Sequence, residues 1–144
     1  MKNCLLRPTL GLVCVVLLAL PLFAQRGKGG GGGGGSTACA IVATPTVSSS
    51  TATAGGDSVG IFSRVTNCSS GKGRYTVTVA AVSSCGAETV IASSVISFSG
   101  GESKLISVPY SVAANTCKGM STVYVSASSG STMLANQSTA LFIE

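Results

Sequence analysis

The sequence predicts an all-β domain, an antiparallel sandwich of about seven strands, on three observations. Val, Ile, Thr, Tyr and Ser dominate from Ser36 onward with no sustained helical apolar period. Clusters of Gly, Asn and Ser interrupt that stretch at short intervals, as turns between short strands do. Four cysteines, Cys39, Cys68, Cys85 and Cys117, fall where they can tie strand ends together.

The chain opens with a segment that is not expected to belong to the domain. Lys2 and Arg7 form a positive start, and Leu10 to Leu22 form an apolar run too short for a comfortable membrane span. Residues 1–24 therefore read as a secretory signal peptide, cut after small Ala24 just beyond helix-breaking Pro21. No stable membrane span is expected after cleavage. A lipid-anchored Cys14 is disfavoured by bulky Val13 beside it. Residues 25–36 contain Gly27 and the unbroken run Gly29 to Gly35, leaving little side chain to bury, so they read as a flexible linker. Ten residues of such coil span on the order of 15 to 20 Å in root-mean-square terms. The expected compartment is secreted, periplasmic or cell-surface.

Residues 37–144 are enough for one domain with one modest core. Its first strand begins at Cys39. The clearest strand is Ser58 to Thr66, after the Gly55-Gly56-Asp57 turn, where Val59, Ile61 and Val65 alternate with Gly60, Phe62 and Arg64. Arg74 to Val82 repeats the alternation with Tyr75, Val77 and Val79 on one face, and the two strands are expected to be neighbours joined by the Cys68 to Gly73 loop. Thr89 to Phe98 supplies Val95, Ile96 and Phe98. After Gly100-Gly101-Glu102, Ser103 to Val112 places Ile106, Val108 and Tyr110 on one face, and Pro109 marks that strand as an edge or an early stop. Ser121 to Ser128 turns Val123, Val125 and Ala127 inward. Met133 to Ile143 closes the domain, with Leu141, Phe142 and Ile143 expected to be half-buried.

Several of these phrases together resemble a known family: Gly55-Gly56-Asp57-Ser58-Val59, Val65-Thr66-Asn67, Tyr75-Thr76-Val77-Thr78-Val79, and Gly100-Gly101-Glu102-Ser103 before Ile106-Ser107-Val108-Pro109-Tyr110. The chain is similar to bacterial secreted immunoglobulin-like domains of the cell-adhesion-related type, with fibronectin type III domains as more distant relatives. The resemblance covers most of Ala38 to Glu144 and implies adhesion, display or spacing, with no catalytic residues. The chain departs from the antibody pattern in having no tryptophan.

On that topology, with consecutive strands antiparallel, Cys39 and Cys68 come to one end of the sandwich and Cys85 and Cys117 to the other. Cys39 with Cys68 and Cys85 with Cys117 is then the pairing that spans no sandwich height, as bridged Cα atoms within roughly 7 Å require. Metal or redox work by the same cysteines has little support, since there is no Cys-x-x-Cys pair and no histidine. No cofactor is expected.

Charge excludes further classes. The formal +5 includes Lys2, Arg7, Arg26 and Lys28, so from Ser36 onward five basic residues oppose four acidic ones. That is no footprint for nucleic acid. Without histidine no Ser-His or Cys-His relay forms, and only Asp57, Glu88, Glu102 and Glu144 offer carboxylates, so no enzyme activity is expected. The expected partner is an extracellular protein or glycan, contacted through exposed Tyr124, Thr76, Thr78, serines, or the charged turns at Lys72, Arg74 and Glu102. Self-association through sparsely charged strand edges is the other expectation, with Leu141-Phe142-Ile143 close to the end of the sequence. Asn67-Cys68-Ser69 and Asn136-Gln137-Ser138 match the N-glycosylation pattern, and Thr76-x-Thr78 is a weak hint of an ice-binding face.

Overall fold

The computed structural model describes residues 37–144, so the expected signal peptide and linker lie outside the described residues. Nine strands follow one another: β1 (Ala40–Val42), β2 (Thr46–Val47), β3 (Thr51–Ala52), β4 (Ser58–Asn67), β5 (Gly73–Val82), β6 (Glu88–Phe98), β7 (Ser103–Ser111), β8 (Gly119–Ser129) and β9 (Thr132–Ile143). β4 to β9 occupy the six expected strands after the first. The expected first strand is divided into three. β1 and β2 lie along one side of β4, with Ala40 opposite Asn67 and Val47 opposite Ile61, and buried Pro45 sits in the break between them. Proline offers no N–H to a ladder, so the strand cannot run through that point unbroken. The chain then changes sheets, and β3 pairs parallel with the end of β9.

Two sheets result. One has β4 at its centre, with β1 and β2 on one side and β7 on the other; the second has the order β3-β9-β8-β5-β6. The expected neighbours Ser58–Thr66 and Arg74–Val82 are not hydrogen-bonded partners. They lie in different sheets, because the loop after Cys68 crosses from one layer to the other. The reason lies in their patterning: each strand has one strongly apolar face, and crossing turns Val59, Ile61 and Val65 toward Tyr75, Val77 and Val79 across a shared core.

That core is dominated by β-branched side chains. Val65, Val123, Val125, Leu141 and Ile143 are fully buried, and the Tyr75 and Phe98 rings meet at 5.5 Å between centroids. Burying a side chain of this size contributes about 1.5 to 3 kcal/mol. The final apolar run alternates instead of being uniformly half-buried: Leu141 and Ile143 point inward while Phe142 stays 42% exposed. Val95 likewise faces outward, and only Phe98 of its trio is fully inside. Among the described residues β7 is an edge, paired only with β4, and Pro109 stands opposite Gly60. β9 pairs along its length with β8, and β3 covers its last two residues.

Disulfides join Cys39 to Cys68, with Cα atoms 5.1 Å apart, and Cys85 to Cys117, with Cα atoms 6.0 Å apart. The first sits where β1 meets the end of β4. The second ties the β5–β6 turn to the β7–β8 loop at the opposite end.

Candidate functional site

Charge is scarce in this domain, so its placement is informative. Of the five cations from Ser36 onward, Lys72, Arg74 and Lys104 line a single concavity of about 670 Å³, together with Gly73, Ser97, Phe98, Ser99 and Glu102. The cleft lies at the Cys39–Cys68 end. The loop after β4, the start of β5, the end of β6 and the start of β7 all contribute to it.

Asn67 builds the floor of this end. It is the last residue of β4, fully buried, and its amide uses both sides. Nδ2 donates to the carbonyls of Gly71 at 2.7 Å and Ser99 at 2.9 Å. Oδ1 accepts from the Ser69 N–H at 3.0 Å and the Ser69 hydroxyl at 2.7 Å. The Tyr75 hydroxyl lies 2.7 Å from the same oxygen and 3.0 Å from the Cys39 carbonyl oxygen, so its one proton serves two acceptors. One buried side chain thereby fixes the loop carrying Lys72, the β6–β7 turn and the disulfide. Gly100 completes the contact: a Cβ there would lie 2.2 Å from the Ser70 carbonyl oxygen, so only glycine lets turn and loop approach.

Lys104 is at the mouth of the core, on the β7 face that also carries Ile106, Val108 and Tyr110. Its ammonium escapes to the surface, donates to the Ser97 carbonyl at 2.7 Å, stands 3.5 Å from Glu102 Oε1 and lies 5.3 Å above the Phe98 ring. Glu102 accepts the Ser99 N–H at 2.6 Å through Oε2. That backbone hydrogen bond, and then Lys104, hold its carboxyl below the usual glutamate range. Lys104 and Glu102 form the one ion pair among the described residues, so Lys72 and Arg74 remain exposed and without an acidic partner there. The arrangement suits an anion.

The other acids are dispersed. Asp57 caps the turn before β4 by accepting the Thr53 N–H at 2.8 Å. Glu88 accepts the Tyr124 hydroxyl on the outer face of the larger sheet, which raises the Tyr124 pKa above its ordinary value. Tyr124 and Ala80 face each other across β8 and β5, and Ala80 is fully buried although it faces outward. Glu144 pairs through its backbone with Ala52. A second concavity of about 140 Å³, beside Cys85–Cys117, is lined by uncharged residues including Ala81, Tyr110 and Asn115. Among the described residues no group of three or more His, Cys, Asp or Glu is placed to hold a metal, and no helix is long and apolar enough to cross a membrane.

The sequence-derived candidates distribute as follows. All four cysteines are in disulfides. Lys72, Arg74 and Glu102 come together. Thr76 and Thr78 share the outer face of β5, where Thr78 and Ser93 hydroxyls lie 3.1 Å apart. Of the two glycosylation sequences, Asn67 is sealed inside its network while Asn136 is exposed on β9. Sequence reasoning missed Lys104 as a cleft residue and Asn67 as its foundation. The available signals were a lysine at a core-facing position of an alternating strand and an asparagine at the end of another.

No known protein family profile matches the chain, and no curated protein matches it by sequence. Solved structures do. The CARDB domain of a Pyrococcus furiosus protein, determined with two metal ions, is similar at TM-score 0.55 and 12% identity over 76% of this chain and 89% of that domain. A β-glucosidase from Erythrobacter marinus is similar at TM-score 0.60 and 10% identity, over 74% of this chain and 16% of that enzyme. An alkylpurine DNA glycosylase from Pseudomonas fluorescens gives TM-score 0.60 and 15% identity over 73% of this chain and 30% of that one. This chain thus spans less than a third of either enzyme. At these identities the likeness establishes the fold, an immunoglobulin-like β-sandwich, and transfers no activity.

Proposed function

We propose that this chain is an exported, non-catalytic module that works by contact, in adhesion or structural organisation outside the cell or in its envelope. The finer kinship is to cell-adhesion-related and fibronectin type III-like domains. The observation that carries this reading is the cleft: a sparsely charged, disulfide-tied sandwich concentrates three of its five cations at one rigid end, beside a carboxylate already committed to Lys104. Such a site holds a ligand without offering a nucleophile and base to transform it. The purified mature protein, fluorescently labelled, is expected to adsorb saturably to the surface or matrix of the cells that produce it and to turn over none of a panel of glycans and peptides. Turnover abolished by Glu88→Gln would overturn the non-catalytic reading.

Self-assembly is a second reading with its own observation. The edge strand β6 carries no charge or proline from Thr89 to Phe98, and Val90 and Val95 are 59% and 57% exposed. Edges usually carry such gatekeepers, and β7 has Lys104 and Pro109. Under this reading light scattering shows mass rising with concentration, and Val95→Lys abolishes the rise.

A further inference from the structure

We infer that the cleft takes oxyanion groups, carboxylate or sulfate, of an acidic polysaccharide. The inference rests on the contact-module reading and names its ligand class. Lys72 and Arg74 flank Gly73, and the loop bearing Lys72 is fixed from beneath by Asn67, so the backbone that presents the pair needs little ordering on binding. Arginine offers a planar fork that matches a carboxylate or sulfate, and lysine adds a point charge beside it. Glu102 does not compete, because the Ser99 N–H and Lys104 hold its two oxygens.

The rest of the domain supplies no general attraction for anions. From Ser36 onward the charges outside the cleft are Arg64 and Lys118 against Asp57, Glu88 and Glu144, a net of one negative. Attraction is therefore local to this end. A polysaccharide fits better than an acidic peptide. Peptide interfaces draw on exposed aromatic or aliphatic anchors, whereas Phe98, the one aromatic in the cleft, is 2% exposed beneath Lys104. Ser97 and Ser99 add polar lining where sugar hydroxyls would lie.

The test is calorimetric titration of the mature protein at low and physiological salt with heparin, polygalacturonate, neutral dextran and polyglutamate. Binding to heparin or polygalacturonate with none to dextran is expected, weakening with salt. Preference for heparin identifies sulfate as the recognised group, and preference for polygalacturonate identifies carboxylate. Lys72→Gln/Arg74→Gln should weaken binding about tenfold or more, since two charge-assisted contacts are lost. Arg64→Gln/Lys118→Gln, and separately Arg26→Gln/Lys28→Gln in the linker, should each stay within about twofold of the parent, each loss lying far below one charge-assisted contact. Both cleft residues are exposed, and circular dichroism checks that the variant remains folded. Equal losses in the cleft and control variants, stronger binding to polyglutamate, or no binding to either acidic polysaccharide would overturn the inference. If cell adsorption then persists in Lys72→Gln/Arg74→Gln, the contact-module reading survives with another face as its site; if the parent itself never adsorbs, that reading fails.

Discussion

Cys39–Cys68 and Cys85–Cys117 join residues 29 and 32 apart, so the chain-entropy contribution of each is nearly the same, about 3 to 4 kcal/mol. Their surroundings are not the same. At the first, the Cys68 N–H donates to the Cys39 carbonyl at 3.0 Å, and Asn67 and Tyr75 bind loop, turn and strand through a buried network. At the second, exposed turns are held by contacts such as the Ser84 hydroxyl on the Lys118 carbonyl at 2.7 Å, with no buried polar side chain comparable to Asn67. Equal covalent ties therefore stand on unequal folded foundations. The cationic cleft lies at the better-founded end, where the backbone carrying its cations is held in place.

The sharpest way to break this comparison is Asn67→Ala. It removes a partner of two carbonyls, two Ser69 donors and the Tyr75 hydroxyl at once, while the Ser69 hydroxyl keeps the Gly71 carbonyl and the Tyr75 hydroxyl keeps the Cys39 carbonyl. A loss of about 2 to 3 kcal/mol is expected in urea unfolding, from several hydrogen bonds lost together at one side chain. A loss under about 1 kcal/mol, the worth of a single ordinary hydrogen bond, would show that the network is not the foundation. Next come the disulfides. Cys39→Ala/Cys68→Ala and Cys85→Ala/Cys117→Ala should each cost about 2 to 4 kcal/mol, similar because their loops are similar. Hydrogen exchange separates them. Opening should spread through 83–87 and 113–118 when the second bond is lost, while 67–71 keep protection when the first is lost, because Asn67 still holds that loop.

How much of this was legible in the sequence follows from the range of each signal. Strand positions and inward faces such as Val123, Val125 and Ala127 are local, period-two information, and the structure places them accordingly. The partnership of β4 was not local. Two alternating strands joined by five residues look like a hairpin, and only the need to cover both apolar faces sends the chain across the sandwich. Within the cleft, Lys72, Arg74 and Glu102 were visible as turn charges. Lys104 was not, because a lysine among Ile106, Val108 and Tyr110 gives no sign that its ammonium exits beside the other cations. Asn67 read as a glycosylation sequence because burial is a tertiary property.

A smaller effect sharpens the contrast from the less supported end. Ser121, near the start of β8 and 2% exposed, carries the one buried side-chain oxygen without a hydrogen-bond partner among the described residues. Its neighbour across the ladder is fully buried Leu141. Removing an unpaired buried hydroxyl relieves its desolvation cost at the loss of little volume, so Ser121→Ala should stabilise the fold by about 1 kcal/mol. For a domain near 100 residues that raises the melting temperature by roughly 4 to 8 °C. Destabilisation would mean that the hydroxyl is satisfied in solution and that this end is better supported than its geometry indicates.

The smallest effect concerns pH and belongs to the cleft. The folded-state pKa of Glu102 lies below the ordinary glutamate value of 4.5, chiefly through the Ser99 N–H and then through Lys104. A carboxyl depressed on folding stabilises fully above its unfolded pKa, and the contribution fades as pH falls from about 4.5 through the lower folded value. The group is solvent-exposed, so the stability change is small. Its electrostatic consequence for binding is easier to read. Protonating Glu102 releases Lys104 from its only acidic partner and leaves three uncompensated cations in the cleft. Binding of a sulfated polysaccharide, which stays ionised in this range, should therefore strengthen as pH falls through the lowered folded pKa of Glu102, whereas binding of a carboxylated one should weaken as the ligand itself protonates. Glu102→Gln should raise affinity for the sulfated ligand at neutral pH and flatten that acid-side rise. If the variant leaves the pH profile of heparin binding unchanged, the anion is not held beside Glu102 and the rigid end of the sandwich is not where it binds.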